Sequence, residues 1–390
     1  MRLHCLTKKE IRVVASIVRS QWYGAYDDGW GDLITEASYA HPAKFAKGLV
    51  YRIVKHGIER GYWKKGDTLL DPFGGVGLGG IAAAAHGMRW LGVELEARFV
   101  RMAAGYDCPG EAKSESEADL CATCQRAIRD DKEPSAVPHR YAGNFDLHRV
   151  EWERAGCPQP MILQGDSRYL AAVVNTAVVD GSVMSPPYGG LDPSATHAQG
   201  TSRKDPNSAN YRPIAERDWQ ERETPRDYGD TPGQIGALTS PPYANRVDDH
   251  GTDKDGYDMV EKLGKYGDSD GQIGNQRETE TYWDACHQVY AGLLDLMTPG
   301  GVAAIVVKSF VRAKKIVPLP EMTAQLLEDV GFEIVEWTDA MLIAQDAQAD
   351  IFGGEYRKER KSFFRRLAER KGSPRIDSEV VIWARKPSDA

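Results

Sequence analysis

The stretch that most constrains this chain is residues 68–99, TLLDPFGGVGLGGIAAAAHGMRWLGVELEARF. Residues 68–71 are a short apolar run that ends in Asp71 and is punctuated at both ends by glycine or proline, which fits a buried parallel strand better than a helix. After Pro72, the turn Phe73-Gly74-Gly75-Val76-Gly77 is stripped of side chains, so backbone N–H groups at the start of the next helix can approach a ligand closely. Residues 78–86 read as that helix, and Gly87 stops it. Residues 90–93 read as the next strand, with Glu94 at its C-terminal end, where a carboxylate can accept both hydroxyls of a ribose.

Two cofactors suit this layout. Gly75-x-Gly77-x-x-Gly80 matches the dinucleotide fingerprint, and Glu94 stands at roughly the 20-residue separation expected of the ribose acid. S-adenosylmethionine (SAM) has no pyrophosphate; there the glycines make room for the methionine part, and Asp71 lies near its amino group. The local sequence leaves NAD, SAM and a purely structural strand-to-helix turn all open.

Ser185-Pro186-Pro187-Tyr188 follows an expected strand at residues 177–184. An exocyclic amine on a nucleobase is a poor nucleophile, because its lone pair is delocalised into the ring. A polar side chain and the carbonyl beside the first proline can accept the two amine hydrogens and localise that lone pair. The prolines pre-aim these acceptors, and an aromatic ring can stack on a base flipped out of the duplex. Upstream, Tyr39-Ala40-His41-Pro42-Ala43-Lys44-Phe45 precedes the glycine loop, and residues 161–167 (MILQGDS) read as a strand ending at Gly165-Asp166.

These landmarks, in this order, resemble the SAM-dependent DNA methyltransferases that modify cytosine N4 or adenine N6, and among them those of phages and prophages with duplicated Ser-Pro-Pro-Tyr turns. The resemblance covers roughly residues 38–385. It implies an α/β, Rossmann-like class I methyltransferase fold: a mostly parallel seven-stranded sheet with an antiparallel edge strand and helices on both faces. It further implies that Lys44 helps close the SAM pocket, that Asp71, Pro72, Phe73, Gly74, Gly75, Gly77 and Glu94 line it, and that Asp166 reaches the adenine amino group. Within the family Ser-Pro-Pro-Tyr is commoner in cytosine-N4 enzymes, so cytosine is the first expectation and adenine the second. Carbon-5 methylation needs a cysteine nucleophile after a proline, and none of the six cysteines follows one.

The motif occurs twice. Ser240-Pro241-Pro242-Tyr243 repeats it, after a shorter strand at residues 235–239 that contains Gly236. The first copy is the expected active turn, because Asp166 precedes it at a suitable remove and a β-branched strand leads into it; the second leads more directly into the next helix. Residues 190–280 are polar and rich in Gly and Asp, as expected of a mobile or DNA-facing insertion.

Residues 106–160 form another insertion. Cys121-x-x-Cys124 has the spacing of a zinc knuckle, with Cys108 nearby and His139, His148 or Cys157 on hand as a fourth ligand; Cys108, Cys121, Cys124 and His139 are the expected set for a structural zinc. A metal-free surface insertion is the first expectation and bound zinc the second, since half of a four-cysteine ribbon is incomplete.

The 390 residues, 41% of them hydrophobic, suffice for one large α/β domain with insertions. On this division residues 1–105 hold the first half of the cofactor site, 161–189 the third and fourth strands, and 281–390 the second half of the core. Residues 6–23 read as an amphipathic helix. No apolar run suits a signal peptide or a membrane span, so a cytoplasmic protein is expected. The net charge of −8 argues against a general electrostatic DNA binder, so any nucleic-acid surface must be local. Residues 357–375 supply one, with Arg357, Lys358, Arg360, Lys361, Arg365 and Arg366 as expected phosphate contacts to double-stranded DNA. The enzyme would act with a cognate restriction nuclease or alone, and a SAM-binding module without catalysis is the reading from a different class.

Overall fold

Residues 302–307, VAAIVV, are buried at every position, which only a strand covered on both faces allows. Val302, Ala304 and Val306 face one hydrophobic layer, and Ala303, Ile305 and Val307 face a second on the other side of the sheet. The computed structural model describes residues 17–41, 44–113, 120–174, 234–241, 273, 279–312, 315–342, 346–349, 355–358, 372 and 374–388.

In chain order the elements begin with β1 (Val18–Trp22), α1 (Lys47–Glu59), β2 (Thr68–Asp71), α2 (Leu78–Ala85), β3 (Arg89–Glu94) and α3 (Ala97–Ala104). The first insertion contributes β4 (Tyr106–Cys108), α4 (Ala122–Arg129), β5 (His139–Tyr141) and α5 (Arg149–Ala155), and β6 (Met161–Gln164) follows. Then come β7 (Ile235–Thr239), α6 (Thr279–Leu296), β8 (Val302–Val307), β9 (Phe310–Arg312), β10 (Lys315–Val317) and α7 (Leu319–Val330). The chain closes with β11 (Glu333–Met341), β12 (Asp346–Ala349), β13 (Glu355–Lys358) and β14 (Ser378–Arg385).

Among the described residues eight strands make one sheet in the order β1-β11-β14-β8-β7-β2-β3-β6. β14 runs antiparallel to both β8 and β11, and the other pairings are parallel. Residues of α1 and α2 pack into the layer on one face, and residues of α6 and α7 into the layer on the other. This is a Rossmann-like architecture, a mostly parallel sheet covered on both faces, with two departures from the seven-stranded expectation. The antiparallel strand lies inside the sheet, because β11 flanks it, and an eighth strand, β1, adds to β11 as a parallel edge.

β1 also corrects the helix expected over residues 6–23. Residues 18–22 are extended, register Val18 to Trp22 against Glu336 to Ala340, and are held by a Ser20–Thr338 hydroxyl hydrogen bond of 2.8 Å and by Arg19 over the Trp337 ring. Residues 1–16 lie outside the described residues. Among the described residues no helix is long and apolar enough to cross a membrane.

Two close approaches set the middle of the sheet. α2 begins Leu78-Gly79-Gly80, and a Cβ on Gly79 or Gly80 would come within 2.9 Å of Trp90, so the helix lies against β3 only because both side chains are missing. Gly236 in β7 plays the same part under Trp63: a Cβ there would meet Trp63 Nε1 at 2.5 Å and the Val302 carbonyl oxygen at 2.7 Å. The Trp63 indole N–H donates to that same carbonyl at 2.9 Å. Gly236→Ala is therefore expected to destabilise the fold by about 1–3 kcal/mol, the usual cost of overpacking a filled core, and denaturant unfolding of the variant against wild type checks it.

Candidate functional site

The C-terminal ends of β2, β3 and β7 converge on the glycine loop. Gly75 and Gly77 take positive φ values of +52° and +77°, a conformation that side-chain-bearing residues rarely adopt. The loop is also hemmed in on both sides. A Cβ on Gly75 would lie 3.2 Å from the His41 ring, and one on Gly77 would lie 2.5 Å from Phe145. Small residues here satisfy backbone geometry and close packing together.

Glu94 holds this loop directly. Its Oε2 accepts the Gly75 N–H at 2.9 Å, and its Oε1 accepts the Glu96 N–H at 2.8 Å. Asp71, at the end of β2, is buried and accepts the Phe73 N–H at 3.1 Å. Burial pushes both carboxyls up to about 7, Asp71 against the opposing pull of the Thr239 hydroxyl and the Phe73 N–H, and Glu94 against that of its backbone donors. A cation brought beside either carboxyl would draw it back to its charged form.

The other expected cofactor residues have local partners. Lys44 is exposed, and its Nζ donates to the carbonyls of Tyr39 (2.9 Å) and His41, clasping its own turn. Asp166 caps the short turn that follows β6: it accepts the Arg168 N–H at 2.9 Å and pairs with the Arg168 guanidinium at 3.0 Å. The neighbouring Ser167 donates its hydroxyl to the Pro72 carbonyl, tying the end of β6 to the glycine loop.

The two Ser-Pro-Pro-Tyr copies part here. Ser185, Pro186, Pro187 and Tyr188, with the strand expected before them, lie outside the described residues. β7, the strand before the second copy, pairs with β2 on one side and β8 on the other, so Ser240 leaves the sheet at the end that carries the glycine loop, just beyond the buried Thr239. Ser240 is half-buried and Pro241 buried; Pro242 and Tyr243 lie outside the described residues. The sequence argument against this strand, its Gly236, reverses once the contact with Trp63 is seen. Of the basic stretch, Arg357 and Lys358 belong to β13, whereas Arg360, Lys361, Arg365 and Arg366 lie outside the described residues.

Sequence reasoning missed Asn144. Its buried side chain donates to the Val76 carbonyl at 2.7 Å and accepts from the Thr35 N–H (2.8 Å), the Ser38 hydroxyl (3.0 Å) and the Thr35 hydroxyl (3.2 Å). One amide thus joins the glycine loop, the segment before α1 and the end of the first insertion. A lone asparagine in an irregular insertion carries no sequence signal for this. In that same insertion Cys108, Cys121, Cys124 and His139 come together, with one ligand-type atom from each lying within 4.8 Å of all the others.

Comparison with known proteins adds a sequence match. The N6/N4 family model described as "DNA methylase" matches residues 8–105, about a quarter of the chain, covering the segment through the glycine loop and Glu94. Among solved structures, a candidate DNA modification methylase from Thermus thermophilus, complexed with SAM, matches at 20% identity over 32% of this chain and 44% of that one, with a TM-score of 0.19. The [4+2]-cyclase SpnF matches at 12% identity over 88% and 84% (TM-score 0.35), and a SAM-dependent methyltransferase from Methanosarcina mazei at 10% over 85% and 97% (TM-score 0.30). At such overlaps these structures carry no functional argument.

The two raised carboxyls have a measurable consequence. In the folded chain each keeps its proton up to about pH 7, whereas in the unfolded chain each loses it near pH 4, so the folded state binds more protons in between. Stability of the ligand-free protein should fall as pH rises from about 4 to about 7 and level off above. Asp71→Asn should remove about one proton from that dependence, read from denaturant unfolding at stepped pH; an unchanged dependence would contradict the assignment.

Proposed function

We propose that this chain transfers a methyl group from SAM to the exocyclic amine of a flipped base in double-stranded DNA, cytosine N4 first and adenine N6 second, and that Ser240-Pro241-Pro242-Tyr243 is the working turn. The observation that carries this reading is the exit of Ser240 from a strand paired with β2, beside the glycine loop that Glu94 and Asn144 fasten. The family match over residues 8–105 supports a DNA substrate.

In this reading the cofactor supplies an electrophilic sulfonium methyl. The glycine loop gives its methionine part room, Asp71 meets the ammonium group and is drawn back to its carboxylate, and Glu94 keeps acceptor capacity for ribose hydroxyls beyond its two backbone bonds. Ser240 Oγ and the Pro241 carbonyl accept the two hydrogens of the target amine, freeing its lone pair for attack. The amine would take the methyl group as the sulfonium C–S bond breaks, its electron pair staying on sulfur in the departing S-adenosylhomocysteine, and the methylated amine would then shed a proton to solvent. Tyr243 stacks on the flipped base, and Arg357, Lys358, Arg360, Lys361, Arg365 and Arg366 supply phosphate contacts that give affinity without sequence information.

The first copy, Ser185-Pro186-Pro187-Tyr188, is the second reading for the working turn, favoured by the β-branched run before it. Ser240→Ala is expected to lower methyl transfer about 10²–10³-fold, the range for loss of one pre-aimed hydrogen-bonding group, with SAM affinity by equilibrium dialysis unchanged. Ser185→Ala should keep near wild-type turnover. The reverse pattern would move the chemistry to the first copy.

A further inference from the structure

The first insertion departs from the core between α3 and β6; its later part packs into the core through Phe145, Trp152 and Cys157, but the described residues of 106–141 have little to hold them together. Their own buried cluster is Cys108, Leu120, Cys121 and Cys124, with Tyr106 and Tyr141 packed against it. So few apolar side chains cannot order about 35 residues by themselves, and small units of this size generally rely on a cross-link or a metal. Three of those four residues are cysteines, and a histidine faces them.

The arrangement has the form of a ligand set. β4 and β5 pair antiparallel with Cys108 opposite His139, while Cys121 caps α4 and Cys124 lies in its first turn, so two elements each present two donors. His139 Nε2 lies 3.4 Å from Cys121 Sγ and 3.9 Å from Cys124 Sγ. A zinc ion bound tetrahedrally by thiolates and imidazole spaces its donors roughly 3.5–3.8 Å apart, so these separations are close to the edges of one coordination tetrahedron.

The surroundings suit the charge of such a set. The Cys121 N–H points at Cys108 Sγ (3.3 Å) and the Cys124 N–H at Cys121 Sγ (3.5 Å), and donors of this kind stabilise thiolates. The other ring nitrogen of His139 lies 3.2 Å from the Val137 carbonyl. A carbonyl can only accept, so Nδ1 carries the proton and the Nε2 lone pair is turned towards the sulfurs. Without a metal the thiol protons must be shared among these atoms, as between Cys121 Sγ and His139 Nε2; a zinc ion that displaces those protons would take one lone pair from each of the four at once.

We propose that Cys108, Cys121, Cys124 and His139 bind one zinc ion in a closed, four-coordinate structural site. All four positions are taken by protein, so the ion has no open place for water or substrate and does no chemistry. Its effect is positional. From His139 the chain runs through Arg140, which donates to the Ala104 carbonyl at 2.7 Å and to Asp146 at 3.0 Å, and through Gly143, whose N–H donates to Asp146 at 3.0 Å. It then reaches Asn144, the amide that fastens Val76 of the glycine loop. The metal fixes the root of this segment, and Asn144 is its tip.

Metal analysis of the purified full-length chain tests the site directly. About one zinc per chain is expected, and cobalt exchanged into the protein should give the thiolate charge-transfer and d–d bands of a tetrahedral sulfur site. Cys121→Ser and Cys124→Ser should lose the metal, while His139→Cys, which keeps four ligands, and Cys157→Ala, outside the cluster, should retain it. Zinc below about a tenth of an equivalent in the wild type together with a featureless cobalt spectrum overturns the proposal, and so does a disulfide among Cys108, Cys121 and Cys124 found by mass spectrometry. These wild-type measurements stand even if a variant fails to fold. The positional role rests on the SAM reading of the glycine loop: removal of zinc by a chelator should weaken SAM binding about tenfold, the lower end of what loss of a supporting contact costs at a site. Unchanged affinity in the stripped protein would overturn that role and leave the metal result intact.

Discussion

The insertion of β7 between β2 and β8 is the constraint on which the rest of the structure depends. It is the strand that joins the half of the sheet carrying the glycine loop to the half carrying the late strands. Its entry is fixed by polar groups rather than by apolar burial alone. The Asp67 carboxylate accepts the Gln234 N–H at 2.9 Å, the Thr68 N–H donates to the Gln234 carbonyl at 2.9 Å, and the Thr298 hydroxyl accepts the Ile235 N–H at 2.8 Å. A slip of one residue would exchange the faces of Gly236 and Ala237 and drive a side chain into Trp63. The register that avoids this clash also fixes where Ser240 leaves the sheet.

Around that exit, buried polar groups are shared between segments far apart in sequence. Glu94 from β3 holds Gly75, Ser167 from the end of β6 holds Pro72, and Asn144 from the first insertion holds Val76. Every one of these bonds takes up a backbone group at or beside the glycine loop, which has no polar side chains with which to fasten itself. A loop built from glycine for close approach to a ligand depends on its neighbours for rigidity, and the neighbours here come from three different parts of the chain.

This explains what the sequence revealed and what it hid. β2 and β7 were legible residue for residue, because apolar runs bounded by glycine, proline and polar residues leave few alternatives. The zinc-type spacing of Cys121 and Cys124 was legible too, and the fold brings Cys108 and His139 to it. β1 was not: Val18 to Trp22 carries a helical pattern locally, and only pairing with β11 makes it a strand. Glu94 was picked out by spacing as a ribose ligand, but spacing says nothing of its grip on Gly75. The ion pair between Asp166 and Arg168 was open to inspection two residues along and was passed over. Gly236 counted against the second copy of the motif because a glycine weakens a strand in isolation, whereas in the sheet it is the residue that lets Trp63 close over β7.

The proposed activity is methyl transfer to a DNA base amine at the ends of β2, β3 and β7. Incubation of the wild-type chain with radiolabelled SAM and unmodified duplex DNA, followed by digestion and mass spectrometry of the nucleosides, tests it most directly. The account predicts label in N4-methylcytosine, with N6-methyladenine as the outcome that keeps the chemistry and changes the base. SAM bound by the protein with no methylated nucleoside formed would contradict it.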